Sequence, residues 1–536
     1  MRKKRILMVG EYNIAKSGFG LYTREILSRL HKTGKYHIAE LSCFNDGSSL
    51  PVVPWKVYPN AADPNDKNMI KGYNADSSNV FGKWRFDQVL LDFKPDIVFD
   101  IRDFWMIEFE GISLLRPYFH WLIAPTVDSL PQQLNWLQTF STADTVCAHT
   151  DWAVDHMRDD VGHNIPAATS VSDSVDTDVF RPIEYSNNVN RAQHFVPDDA
   201  WIVGSVMRNQ KRKLIPNLMG IVRDLRAVTN STRPHLLLHT SYPEKQGWDI
   251  PSLLLEYNAY NYTLFTYYCQ VCHKPHVGYF KGEKTNCPFC GDKSAVFPNV
   301  VKGLTDAQLN KIYNLMNVYV QYAICEGLGI PQLEAASAGI PLISVDYSAM
   351  SEVSTYLNAD KVSYALFKEM ETGAFRSMPN DKECVSILYR RFMQGDYEAK
   401  KAKETIRKNI IASYSWDKTA KKYEELFDNI KPKNMWDQPL SCNPQYPVQQ
   451  NQSNRELVEN IIKYVIQSPF LLRTTYIQNM IRFLDEGYTW NGGNIVPYTI
   501  EMAKKNLEGL LNHKVLLENL RSGAAKDNSP FLKHGQ

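Results

Sequence analysis

EGLGIPQLEAASAGIPLISVD, residues 326–346, writes a loop, a helix and a strand in one line. Gly327 and Gly329 make a turn, and Pro331 suits the first turn of a helix, where its missing N–H is no loss. Gly339 is a natural left-handed end for that helix, and Pro341 to Val345 reads as a short strand buried on both faces. A glycine-containing loop entering a helix N-terminus presents free backbone N–H groups and the positive end of the helix dipole, a ready site for phosphate. Glu326 lies in the loop, and Glu334, eight positions on, projects from the first turns of the helix. Carboxylates there are poor phosphate ligands and good acceptors for sugar hydroxyls. The stretch therefore suits a ligand with both parts, such as a nucleotide sugar; the plainer reading is a structural unit with two solvated glutamates.

The same alternation extends outward from this stretch. Met316–Ala323 is a strand leading into Cys325 and Glu326, and Thr305 with Gln308 forms a capping box that opens a helix. Trp201–Val206 is a strand followed by the basic loop MRNQKRK, and HLLLH (235–239) is another. Near the start, Arg5–Val9 is a strand that runs into GEYNIAKSGFG (10–20) and an amphipathic helix from Leu21 to Leu30, ended near Gly34. His37–Leu41 and Pro95–Ile101 follow as strands. Strand–loop–helix–strand alternation predicts an α/β protein with parallel sheets. Its restart predicts two doubly wound, Rossmann-like halves meeting around residues 184–200, that is, domains over 1–190 and 191–415. Residues 416–433 form a further helix, 434–453 (rich in Pro, Asn and Gln) a linker or irregular wrap, and 454–536 a helical extension broken at TWNGGN.

Bulk composition narrows the class. A chain of 536 residues is too long for one core. A net charge of +2 supplies no global basic field for nucleic acid, though local basic grooves remain open. The start, MRKKRILMVG, has too short an apolar run for a signal peptide, and no stretch approaches the roughly 20 apolar residues of a membrane span. The expectation is a soluble, cytoplasmic protein of open oligomeric state.

Three further loops carry candidate chemistry. Arg208 and Lys213 follow a strand's C-terminal end, where doubly wound folds bind ligands, and both suit a diphosphate; a solvated basic turn is the alternative. Gly18, Phe19 and Gly20 open the first helix, with glycines that let backbone approach a ligand, but the full dinucleotide fingerprint is missing. Asp128 in APTVDSLP lies on a loop bracketed by prolines, where a turn-forming role is the plainer one.

Together these pieces resemble the retaining GT-B glycosyltransferases of family 4. EGLGIPQLEAASAGIPLISVD is similar to that family's E-x7-E region, Arg208 and Lys213 match its Arg and Lys pair, and SVDTDVFRP (174–182) resembles the segment ending its first domain. SGFG resembles its Gly-rich loop, and SWDKTAKKYEELF (415–427) its helix crossing back to the first domain. The resemblance covers roughly residues 5 to 430, interrupted by an insertion. It implies two Rossmann-like domains facing a cleft and a nucleotide-diphosphate sugar donor. By that resemblance Arg208 and Lys213 bind the diphosphate, and Glu334 holds the ribose. Glu326 and the amides of Gly327, Leu328 and Gly329 meet the sugar and its phosphate, and Gly18, Phe19 and Gly20 complete the donor site. Many members carry a histidine near the sugar, a place Asp128 is expected to fill here, and the usual Asn-Gly before the Val-Asp pair is Asp173-Ser174. Retaining glycosidases need two carboxylates roughly 5 Å apart flanking the bond. Glu326 and Glu334 are instead expected to bind donor, with front-face transfer implied by the resemblance.

The insertion, about 241–300, holds Cys269-x2-Cys272 and Cys287-x2-Cys290 with 14 residues between the pairs. Two such knuckles predict one structural Zn²⁺ held by four thiolates, with a redox dithiol pair as the alternative; no open position is left for catalysis, and no catalytic metal is expected. The other five cysteines are scattered. The segment HKPHVGYFKGEK (273–284) mixes basic and aromatic residues, suited to a nucleic acid or a glycan, although bracing a loop is the simpler role. Acceptors left in play are a soluble glycan, a protein, or a hydroxymethylated DNA base. The rival classes are a non-catalytic nucleic-acid or glycan-binding protein on this scaffold, and a GT-B epimerase or phosphorylase.

Overall fold

The computed structural model describes residues 2–15, 17–45, 47, 52–158, 165–183, 191, 194–299, 303–443, 452–491 and 494–524. The first sheet is β1 (Lys4–Glu11), β2 (Tyr36–Cys43), β3 (Lys56–Pro59), β4 (Ile97–Asp100), β5 (His120–Ile123), β6 (Thr145–Ala148) and β7 (Ala167–Ser170). All pairs are parallel, in the order β3-β2-β1-β4-β5-β6-β7. Ile6, Leu7, Met8 and Val9 are all fully buried, as a strand covered on both faces requires. The helix over Gly18–Lys32 follows β1 and is capped by Ser17, whose hydroxyl accepts from Gly20 N at 3.0 Å.

The second sheet has a parallel core of β8 (Trp201–Val206), β9 (Pro234–His239), β10 (Thr263–Cys269), β14 (Val318–Gln321), β15 (Leu342–Val345) and β16 (Asp360–Val362), in the order β10-β9-β8-β14-β15-β16. Three short antiparallel strands, β11 (Pro275–Tyr279), β12 (Lys284–Thr285) and β13 (Ala295–Val296), are appended beside β10 and carry the cysteine knuckles. The order reverses between β1 and β4 in one sheet and between β8 and β14 in the other. Crevices open at such reversals, beyond the strand C-termini. Of the junction expected around 184–200, residues 191 and 194–200 are described and the rest lie outside the described residues.

The helix Trp416–Asn429 returns to the first sheet. Tyr423 and Tyr22 hydrogen-bond through their hydroxyls at 2.8 Å, Tyr36 Oη donates to Asp428 at 2.6 Å, and Phe427 packs on Phe99. The opposite face of that sheet is covered by the C-terminal region. Helices Asn454–Asn460, Thr475–Glu486 and Ile500–Ser522 bury Val458, Ile477, Ile481 and Leu507 in one core with Phe86, Leu114 and Phe140. The segment read as a linker is partly anchored: Trp436 is buried and donates from Nε1 to Pro95 O at 2.8 Å. Residues 444–451 of that segment lie outside the described residues. Around TWNGGN, Tyr488–Asn491 pairs antiparallel with Asn494–Pro497, so its described residues lie in strands and not in a bare turn. Among the described residues, no helix is long and apolar enough to cross a membrane.

Candidate functional site

The strand ends of the two sheets enclose a cavity of about 850 Å³. Its lining includes Gly18, Phe19, Arg208, Lys213, Glu326, Gly327, Leu328, Gly329 and Glu334, so residues far apart in sequence converge as their types suggest. Gly20 lies one residue behind the lining, where a Cβ would stand 2.6 Å from Ala15 O; the close approach there is to the chain's own backbone.

The second-sheet wall is built on Glu326. Arg212 Nη1 pairs with its Oε2 at 3.0 Å, Lys213 Nζ pairs with Oε1, and Gln321 Nε2 donates to Oε1 at 2.9 Å. Burial alone would push this carboxyl up, but the two cations overcome it and hold it down at about 2. Glu326 is therefore an ionised anchor. Lys213 is pushed down by its burial despite that partner. Arg208 sits farther out and forms a two-point pair with Glu244, Nη2 to Oε1 at 3.0 Å and Nε to Oε2 at 3.2 Å. Arg212 also donates to Cys325 O at 2.9 Å; it belongs to this wall, although the family's Arg and Lys pair does not point to it.

Beyond Glu326 the chain turns into the helix Ile330–Ser337. Gly329 makes the turn at φ +85°, open to glycine at little cost, and Pro331 lies in the first turn. Gly339, at φ +76°, follows the helix end as the sequence predicted. Gly327 is forced by the other sheet: a Cβ there would lie 2.2 Å from Thr126 Cγ2. Glu334 accepts from Tyr313 Oη at 2.7 Å, and burial pushes it up to about 7. Two glutamates of one motif thus hold opposite positions, one ionised throughout and one poised near neutrality.

The first-sheet wall carries Ser17, Asp103, Thr126, His149 and Asp173. His149 Nδ1 lies 3.1 Å from Asp173 Oδ1, near enough for charge but off the hydrogen-bond line. Burial pushes His149 down, and Asp173 more than reverses that, leaving it above its usual value. Asp128 does not line the cavity. Its carboxylate is held by Arg376 Nη1 at 2.7 Å and by Ser129 Oγ at 2.9 Å, with Cys325 Sγ 3.2 Å away. Arg376 lies on β18 (Phe375–Pro379), which pairs with β17 (Tyr364–Lys368), and Phe375 N donates to Leu130 O at 2.7 Å across the cleft. Asp128 bridges the two sheets through Arg376, and His149, 21 positions on, lines the cavity on this wall. The unusual Asp173 in the Asp-Ser pair is the signal that could have found His149, since it faces that ring.

Away from the cavity, the sulfurs of Cys269, Cys272, Cys287 and Cys290 all lie within 4.8 Å of one another. Cys269 and Cys290 are 3.7 Å apart and Cys272 and Cys287 3.6 Å. These gaps match the edge of about 3.8 Å that four metal–sulfur bonds of about 2.3 Å produce in a tetrahedron. The cluster can hold one metal ion with no position left open.

No protein-family model matches the chain, and no curated protein matches it in sequence. Solved structures do. Sucrose-phosphate synthase from Thermosynechococcus elongatus superposes with a TM-score of 0.56 at 16% identity, over 80% of this chain and 98% of that one. HepE from Anabaena, solved with UDP and glucose, gives 0.55 at 10% identity, over 80% of this chain and 100% of that one. WaaG, a glycosyltransferase involved in lipopolysaccharide biosynthesis, gives 0.53 at 10% identity with the same coverage. At such identities the likeness is one of architecture, and the chain has the GT-B fold, with two Rossmann-like units facing a cleft and a helical C-terminal region.

Proposed function

We propose that this protein is a retaining glycosyltransferase that moves a sugar from a nucleotide-diphosphate donor to a hydroxyl acceptor. The observation that carries the reading is the pairing of walls across one cavity: Arg208, Arg212, Lys213 and the helix N-terminus at Gly329–Ile330 on one side, and His149 with Asp173 on the other. The neighbours solved with UDP and with UDP-glucose support the donor class.

In this mechanism the donor diphosphate lies against Arg208, Lys213 and the amides of Gly327 to Gly329, with Glu334 accepting from the ribose hydroxyls. The bond from the anomeric carbon to phosphate oxygen breaks, and its electron pair leaves with the phosphate. The acceptor oxygen bonds to that carbon from the same face, and its proton passes to the departing phosphate oxygen. Charge building on that oxygen is met by Lys213 and Arg208, the kind of preorganised stabilisation that contributes most in water-poor sites. Glu326 fixes the two inner cations in place, and His149 orients the acceptor hydroxyl. The acceptor, a soluble glycan or a hydroxymethylated DNA base, enters along the first-sheet wall.

The four cysteines bind one structural Zn²⁺, which they fit in number, softness and spacing; it takes no part in the chemistry. The test is direct: incubation with each nucleotide sugar should release a nucleoside diphosphate and sugar, or transfer the sugar, with the α or β configuration kept. Transfer with inversion removes the mechanism; strict dependence on inorganic phosphate, or epimer formation without acceptor, replaces the transferase.

A further inference from the structure

The cysteine module begins and ends at the cavity. The chain leaves β9 at His239, passes Thr240, Ser241 and Glu244 along the wall, and returns to that wall at Pro298 and Asn299, then Gly303 to Asp306. The knuckles lie between these two limbs.

The return limb is fastened to the knuckles. β13 pairs with β10 through Cys269 with Ala295 and Tyr268 with Val296. Cys269 Sγ lies 3.1 Å from Ser294 Oγ, and Gln270 N donates to Ser294 O at 3.1 Å. Next comes Phe297, buried against Tyr267, Phe265 and Tyr242, with ring centroids 4.9, 5.4 and 5.5 Å away. Tyr242 stands on the outgoing limb, so one aromatic cluster joins both limbs. Pro298 follows directly. Gln308 Nε2 also donates to His273 O at 2.9 Å, tying the first knuckle to the helix Asp306–Tyr313, whose Thr305, Asp306 and Leu309 line the cavity.

At the end of β9, two polar atoms among the lining residues lack a partner. Thr240 is 1% exposed and its Oγ1 makes no hydrogen bond; His239 is partly exposed, but its Nδ1 atom is shielded and also lacks a partner. Such groups are rare in folded proteins and point to an absent partner. Burial holds His239 down at about 4, so it meets a ligand as a neutral ring and is a poor match for phosphate. The cations Arg208 and Lys213 follow the adjacent strand, β8.

We propose that the cysteine module is the wall of the donor site that reads the nucleobase: with its metal bound, it fixes Pro298–Asn299 and Gly303–Asp306 opposite His239 and Thr240, and the base lies between. This rests on the donor reading above. A hydroxyl and a neutral imidazole nitrogen can pair with a base edge that offers a hydrogen-bond donor beside an acceptor, and a base of the wrong pattern leaves them buried and unpaired. The metal enters because the knuckles it closes carry both anchors of the wall, the β13 pairing and the Gln308 hydrogen bond.

Calorimetric titration of the metal-loaded chain with UDP, GDP, ADP, CDP and dTDP tests this. One base should be preferred. Removing the metal with a chelator should weaken that nucleotide at least tenfold, and Zn²⁺ should restore it. Thr240→Val should lose most of the preference while keeping one metal ion per chain. Unchanged affinity in a metal-free chain that circular dichroism shows to be folded would overturn the proposal, as would an intact preference in both Thr240→Val and His239→Ala. Should the metal-free chain unfold, Gln308→Ala decides, because it keeps all four cysteines: severalfold weaker binding supports the coupling, and unchanged binding ends it. A metal-loaded chain that binds none of the five overturns the donor reading itself, and this inference with it.

Discussion

The two walls of the cleft share a topology and differ in the loops into which their strands run. On the second sheet, Arg208, Arg212 and Lys213 crowd around Glu326 and Glu244, each cation already paired before any ligand arrives. On the first sheet the lining has Ser17, Asp103, Thr126, His149 and Asp173, with Arg24 its one arginine among the described residues. Equal frames thus serve unequal tasks. A wall of fixed cations suits an anion whose charge grows during reaction, because the dipoles need not reorganise. A wall of hydroxyl, carboxylate and imidazole suits a neutral hydroxyl that must be held and aligned.

The sharpest break in that division is Lys213→Ala. It should lower kcat by about 10²- to 10³-fold, the range for loss of one group that stabilises transition-state charge, measured as nucleoside diphosphate released per second. Glu326→Gln should act in the same direction by freeing Lys213 from its place. Glutamine is the substitution to use, since alanine would strand a buried cation at a cost of about 3–5 kcal/mol and confuse unfolding with inactivity. Turnover within threefold of wild type in both would end the account of this wall.

On the other wall, His149→Ala should lower kcat by about 10²-fold while leaving the donor Kd unchanged. A matching loss of donor affinity would mean that the walls do not divide the substrates. A third, smaller effect separates Glu334 from Glu326. Burial places Glu334 at about 7, so below that pH the ligand-free chain carries it protonated. Ribose hydroxyls prefer the carboxylate, so donor affinity should fall as pH drops through 7. The gap of about 1 kcal/mol between charged and neutral hydrogen bonds corresponds to roughly fivefold between pH 8 and pH 6. A nucleotide sugar should be used, because its diphosphate diester does not titrate near neutrality, and Glu334→Gln should flatten the profile. Of similar size, Arg376→Ala removes the bridge to Asp128 and Glu369 and should raise the donor KM about fivefold, near 1 kcal/mol, with kcat held.

What could be read from the sequence was local. The loop–helix–strand at 326–346, the Thr305–Gln308 capping box and the cysteine knuckles each declare themselves within a few residues, because turn, cap and ligand chemistry depend on neighbours along the chain. The ion pair of Asp128 could not be read, because its partner, Arg376, is 248 positions away on a hairpin that no pattern joins to it. His149 is hidden for the same reason, since only Asp173, which faces its ring, marks it out. Arg212 was in plain view within RNQKRK, but the side-chain direction that separates it from Lys211 depends on a short 3₁₀ turn, Lys211–Lys213. The C-terminal helices had readable periodicity, yet an apolar stripe does not say which surface covers it.

That covering has a consequence for how the molecule comes into being. The second sheet and its helices are one uninterrupted run, and every strand of it has been synthesised by residue 362. The first sheet waits: Phe427 closes one of its faces, and Trp436 and Leu517 belong to the other. During vectorial synthesis the half that begins the chain is therefore the half completed last, with its earlier apolar strands standing open meanwhile. Chaperone demand and aggregation on truncation should fall on this half, although its strands are made first.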